Sequence, residues 1–149
     1  MAFQNVLFVC IHNSARSQIA ESLLRKMGGD QFNVVSAGLE PGTLNPLVVK
    51  VLLEENIDIS GKTTNDVFEF FKQSRHFHYV ITVCDEAAAE RCPVFPGVTK
   101  RLSWSFADPS GFEGSEEEKM QQVRMVREKI RIAVADFIEQ VGKGSYTFR

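Results

Sequence analysis

One stretch, Asn5 to Cys10 (NVLFVC), limits the fold more than any other part of the chain. Apolar residues occupy both alternating faces, a pattern suited to a strand covered on both sides of a parallel sheet. A helical pattern starts a few residues later, with Ile19, Leu23, Leu24 and Met27 on one face and Gly28-Gly29 as the stop. A strand that feeds almost directly into a helix is the first half of a strand–helix–strand unit.

The alternation continues. Phe32 to Ser36 (FNVVS) predicts a second strand, and Asn45 caps a helix that has Pro46 at its first position and Val48, Val49, Leu52 and Leu53 inside. Asn65 to Lys72 predicts a short helix, and Tyr79 to Cys84 (YVITVC) a third buried strand that, like the first, ends in cysteine. Residues 85–97 join a helix-prone Ala/Glu stretch to Pro93, Pro96 and Gly97, a short helix running into a turn. Leu102 to Phe106 predicts the fourth strand, and Ala107 to Gly111 a loop. Ser115 with Glu118 forms a capping box for a last helix whose Val123, Val126, Ile130, Val134, Phe137 and Val141 make one apolar face; the tail after Gly142 is read as frayed. The outcome is an α/β fold with a four-stranded parallel sheet flanked by helices and joined by right-handed crossovers. No repeat or linker interrupts it, so residues 1–149 are read as a single domain.

Charge and cysteine usage narrow the function. A net charge of −2 without a basic cluster argues against nucleic acid as partner. The apolar runs are too short to span a bilayer, and the opening Met-Ala-Phe-Gln-Asn lacks a basic n-region; the expectation is a cytoplasmic protein without a membrane partner. In that compartment Cys10, Cys84 and Cys92 would be catalytic, transiently oxidised or simply buried. Seven residues separate Cys84 from Cys92, a spacing unlike zinc-ribbon or zinc-finger pairs, so no metal site is expected.

The densest chemistry lies between the first strand and first helix, in Cys10-Ile11-His12-Asn13-Ser14-Ala15-Arg16-Ser17. Open α/β sheets bind ligands at this carboxyl edge. A loop entering a helix directs unpaired N–H groups at one point and adds the positive end of the helix dipole, so a tetrahedral oxyanion is the natural guest. Arg16 adds a planar fork of charged donors, and the same field favours a thiolate, the nucleophilic form, at Cys10.

Cys-x5-Arg-Ser after a first strand, continued by Gln18-Ile19-Ala20-Glu21, with Val35-Ser36-Ala37-Gly38 and the late Asp108-Pro109, resembles the low-molecular-weight tyrosine phosphatases over nearly the whole chain. The resemblance implies strand order 2-1-3-4. It also implies that Cys10 attacks the anion, that Arg16 and the backbone of Ile11 to Ala15 hold it, and that Asn13 orders the loop. Ser17 would hydrogen-bond the thiolate and Asp108 protonate the leaving group. Read alone, Asp108-Pro109 is also an ordinary turn start.

The two further thiols and the stretch Cys92-Pro93-Val94-Phe95-Pro96-Gly97 resemble the arsenate reductases built on that phosphatase fold. This resemblance implies that Cys10 binds arsenic from arsenate, that Cys84 displaces arsenite, and that Cys92 resolves the bond. Segment 85–91 would rearrange during turnover. No bound cofactor is implied; the electrons come from an external dithiol, thioredoxin in the resembling family, and the chain is read as a monomer. The alternative from another class is a phosphatase acting on phosphomonoesters, although Ser110-Gly111 stand where tyrosines often flank Asp-Pro in such enzymes. The chain departs from the reductase pattern at His12, at Ala15 and in the slightly longer Cys84–Cys92 spacing. Some relatives bind potassium at positions matching Asn13, Glu21, Ser36 and an aspartate, but Asn65 falls at the last with Asp66 beside it, and Glu21 reads as an exposed helix residue.

Overall fold

The computed structural model describes residues 3–144. Four parallel strands, β1 (Gln4–Cys10), β2 (Phe32–Gly38), β3 (Tyr79–Thr82) and β4 (Lys100–Ser103), form one sheet in the order β2-β1-β3-β4. Its helices are α1 (Arg16–Gly28), α2 (Pro46–Leu53), α3 (Val67–Lys72), α4 (Glu86–Ala89) and α5 (Glu116–Gly142). The doubly apolar run of β1 explains the order, because the central strand has to be covered on both faces and paired on both edges. Val6, Leu7, Phe8 and Val9 are fully buried. They pair with Val34 to Ala37 on one side and with Tyr79 to Thr82 on the other.

Sequence signals act at the helix ends as expected. The Asn45 side chain accepts from the Leu47 N–H ahead of Pro46, and Ser115 and Glu118 complete a reciprocal capping box on α5. Val123, Val126, Ile130, Val134 and Phe137 of α5 are buried, while Val141 is only partly covered. Phe137 holds the centre of an aromatic cluster, its ring 5.0 Å from Tyr79, 5.7 Å from Phe32 and 6.1 Å from Trp104. The end of α2 is tied to α5 by Arg124 and Arg127 on Glu54 and by Arg131 on Glu55.

Several boundaries differ from expectation. β3 stops at Thr82, two residues before Cys84, although the Val83 N–H still donates to the Val9 carbonyl at 2.8 Å. β4 occupies Lys100–Ser103 instead of Leu102–Phe106. As an edge strand it tolerates the exposed Lys100 and Arg101, whose polarity hides it from an apolar-run argument. α3 starts at Val67, capped by Asp66, because Asn65 is engaged elsewhere. Met27 is partly exposed rather than part of the buried face of α1. α5 ends at Gly142, and most of the tail read as frayed lies outside the described residues.

Replacing Phe137 with Ala should cost about 3–5 kcal/mol of unfolding free energy in a urea titration, because a ring at the meeting point of α5 and the sheet leaves a cavity. A loss under about 1 kcal/mol would show that the cluster is not part of the working core.

Candidate active site

β1 delivers Cys10 to the carboxyl edge of the sheet, and α1 begins six residues later, so residues 11–15 must turn within a very small space. Asn13 takes the left-handed conformation, φ 55°, which asparagine tolerates better than most residues. The carbonyls of Cys10, Ile11, His12 and Ser14 are drawn outward, accepting from the N–H groups of Leu39, Glu40, Gly42 and Asn45 at 2.7–3.1 Å. With those carbonyls committed to the segment after β2, the N–H of Asn13 is turned the other way, toward the Cys10 sulfur. Ala15, the residue before α1, makes no side-chain cap, which leaves the first N–H groups of that helix free for an anion.

Gly38 makes this packing feasible. A Cβ there would lie 2.7 Å from the Ile11 carbonyl oxygen and 2.8 Å from the Asn13 nitrogen, both backbone atoms that cannot swing aside.

A buried hydrogen-bond network sets the loop. The Asn13 side-chain oxygen accepts from the Asn65 N–H at 2.9 Å and from Gln18 Nε2 at 3.2 Å. Its amide nitrogen is thereby turned to donate to Ser17 Oγ at 2.7 Å and Ser36 Oγ at 2.9 Å. Ser17 Oγ lies 2.8 Å from Cys10 Sγ, and the Asn13 N–H donates to the same sulfur at 3.2 Å. Because the Ser17 oxygen already accepts from Asn13, its O–H is the one directed at the sulfur.

Arg16, almost entirely buried, donates to the Phe106 carbonyl at 3.3 Å and pairs with Asp108 at 3.4 Å. The chain after β4 leaves the sheet to bring both groups over the loop. Burial acts to raise the Asp108 pKa, but the Ser110 hydrogen bonds, Arg16 and His12 outweigh it and hold the carboxyl below its ordinary value. Asp108 is therefore a carboxylate beside Arg16, and a dianion arriving there would push it back toward the protonated, donating form. His12 is exposed; its Nδ1–H donates to the Glu40 carbonyl at 2.8 Å, so this residue serves the loop through its backbone.

Cys84 and Cys92 are both buried free thiols, as is Cys10. Val9 pairs with Thr82, so Cys84 lies one residue further along the sheet edge than Cys10. Burial, with Cys10 and Asp85 adding to it, pushes the Cys84 thiol up against the opposing pull of Arg16. Cys92 follows α4, and burial pushes its pKa up to about 11, aggravated by Cys84 and opposed by Arg101. Each thiol thus lies in the electrostatic field of the next. Phe95, buried against Phe77 and Phe71, anchors the far side of the segment.

The positions that match a potassium site do not fit that ion here. Glu21 is buried, not exposed, and its carboxylate carries the Lys62 ammonium and the Arg25 guanidinium. Asn65 points N–H donors, not ligands, at Asn13 and at the Ser36 carbonyl. Among the described residues no group of three or more His, Cys, Asp and Glu side chains is placed to hold a metal ion. Sequence reasoning did not single out Gln18, Lys62 or the role of Gly38, since each acts through a partner distant in sequence.

A sheet of this order, with a cysteine and arginine bracketing a short loop that feeds an uncapped helix start, is the architecture of a phosphatase-type anion site. The chain belongs to the low molecular weight phosphotyrosine protein phosphatase family, which it matches over residues 5–146. It is 40% identical over 139 residues to an arsenate reductase of Bacillus licheniformis, covering 93% of this chain and 98% of that one. To the arsenate reductase of Bacillus subtilis it is 38% identical over 134 residues, covering 90% and 94%. Among solved structures it is similar to an arsenate reductase in the phosphate binding state, with a TM-score of 0.73 at 28% identity and coverage of 93% and 98%. It also resembles a thioredoxin-dependent arsenate reductase of Corynebacterium glutamicum, with a TM-score of 0.62 at 29% identity, covering 89% of this chain and 62% of that one. The fold is shared with a tyrosine phosphatase of Erwinia amylovora at 18% identity and a TM-score of 0.74.

Substituting Gly38 with Ala should destabilise the protein by about 1–3 kcal/mol and weaken inorganic phosphate binding, read by thermal melting and isothermal titration. Melting and binding like wild type would mean that the loop does not depend on this contact.

Proposed function

We propose that this chain is an arsenate reductase that releases arsenite through a relay of Cys10, Cys84 and Cys92. The observation that carries the reading is the succession of three buried thiols leading away from a phosphatase-type anion loop. Ester hydrolysis needs only the first of them, together with Arg16 and an acid.

In the first step the Cys10 thiolate displaces an oxygen ligand of arsenate, which leaves as water after protonation by Asp108, while Arg16 and the N–H groups of Ile11 to Ala15 hold the remaining oxygens. Next, the Cys84 thiolate attacks the Cys10 sulfur. An S–S bond forms, the S–As bond breaks, and its electron pair goes to arsenic, which leaves as arsenite. Finally the Cys92 thiolate attacks the Cys84 sulfur, forming the Cys84–Cys92 disulfide and returning Cys10 as thiolate. Ser17 steadies that thiolate at the start and end of the cycle.

An external dithiol must then reduce the disulfide, and the name of the Corynebacterium relative supports thioredoxin in that role. Cys84 and Cys92 are 2% and 4% exposed, so segment 85–97 has to open before an external donor reaches either sulfur. The reading places the protein, as a monomer with no bound cofactor, in a thiol-reducing compartment such as the cytoplasm. Among the described residues no helix is long and apolar enough to cross a membrane.

Purified protein supplied with arsenate, thioredoxin, its reductase and NADPH should turn over repeatedly, and Cys84→Ser or Cys92→Ser should each reduce multiple turnover by at least about a hundredfold. Sustained arsenate-dependent NADPH oxidation by either variant would sink the relay. The raised thiols of Cys84 and Cys92 add a pH signature. In a single turnover followed by mass spectrometry, Cys84–Cys92 formation should accelerate by up to about tenfold per pH unit above neutrality; a rate that falls with pH would contradict thiolate attack.

A further inference from the structure

The hydrogen-bond network behind Cys10 ends at a second anion. Asn13 donates one amide hydrogen to Ser17, whose hydroxyl faces the Cys10 sulfur, and the other to Ser36, whose hydroxyl donates to Glu21 Oε1 at 2.6 Å. Two groups that carry negative charge, the Cys10 thiolate and the Glu21 carboxylate, therefore share one donor as a hub. Both are buried, Cys10 at 2% and Glu21 at 3% exposure. An uncompensated carboxylate at that depth would oppose formation of a thiolate nearby, because like charges repel strongly where water is excluded.

The structure supplies compensation from two cations. Arg25 meets Glu21 Oε2 at 3.0 Å, but its side chain is 60% exposed, so solvent screens much of its effect. Lys62, from the segment between α2 and α3, donates to the same oxygen from a far less exposed position. The same segment carries Asn65, which orients the Asn13 amide. Around the sulfur itself stand Arg16 from α1 and Cys84 beyond β3, with Asp108 on Arg16 and the exposed His12 in the loop.

We infer that Lys62 is a positioning residue of the active site, a built-in counter-ion that neutralises Glu21 and so allows Cys10 to work as a thiolate at the far end of the same hydrogen-bond network. Lys62 reaches neither the loop interior nor the relay and acts only through Glu21. The inference rests on Cys10 being the nucleophile of the proposed function, but not on the later thiol steps.

The test uses the full chain with Cys84→Ser and Cys92→Ser, so that Cys10 alone reports, and follows alkylation of Cys10 by iodoacetamide at pH 7. Adding Lys62→Met should slow alkylation by about fivefold to tenfold. A further Glu21→Gln change, which removes the opposing charge and keeps an acceptor for Ser36, should restore the rate to within about twofold. Alkylation of the Lys62→Met protein at the parent rate overturns the inference, whatever its melting temperature, because a merely structural lysine would alter stability and not the reactivity of folded molecules. If Lys62→Met does not fold, Lys62→Gln takes its place with the same two outcomes: slower alkylation that Glu21→Gln restores supports the counter-ion role, and the parent rate refutes it. The relay is tested separately by turnover of the Cys92→Ser variant, so failure of one reading leaves the other measurable.

Discussion

The site depends on the orientation of a single amide. Asn13 sits in a left-handed turn, accepts with its oxygen and donates with its nitrogen, and its partners arrive from three parts of the chain: Gln18 and Ser17 from α1, Ser36 from β2, Asn65 from the segment before α3. A fully satisfied polar group at zero exposure is rigid because every alternative orientation leaves buried donors or acceptors unpaired. That rigidity lets the loop present its N–H groups to an anion without first having to reorganise, which is the basis of electrostatic stabilisation in catalysis.

Around this fixed centre the three sulfurs experience different surroundings. Cys10 faces a serine hydroxyl, a backbone N–H and the field of a helix start. Cys84 and Cys92 sit among apolar groups that disfavour charge. Reactivity is thus graded from the sheet edge outward, and the outer thiols gain nucleophilic character only when their surroundings change. Such a gradient suits the proposed relay, since an outer thiol that was reactive at rest would exchange with any available disulfide before the oxyanion arrived.

Periodicity made the sheet legible from sequence. The doubly apolar runs of β1 and β3 and the capping signals of α2 and α5 are local, and the structure follows them. β4 was displaced in the reading because the apolar Leu102, Trp104 and Phe106 suggested a strand, whereas Trp104 and Phe106 instead line the core as the chain leaves the sheet. The loop motif announced Cys10, Asn13, Arg16 and Ser17, whose spacing is itself the signal. Glu21 was misjudged as exposed because its partners, Ser36 and Lys62, lie 15 and 41 residues away. Gly38 carries no mark of its own either, since only the approach of another backbone segment shows why a side chain is forbidden there.

The depth of Cys92 has a consequence for the resting protein. With Cys84 and Cys92 nearly sealed from solvent and their thiols pushed up by burial, peroxide or a passing electrophile finds little of these two sulfurs to modify, and their irreversible oxygenated states are hard to reach. The cover that the proposed relay has to lift in each cycle therefore works as a preservative between cycles. It keeps an idle molecule serviceable in surroundings harsher than those in which it turns over.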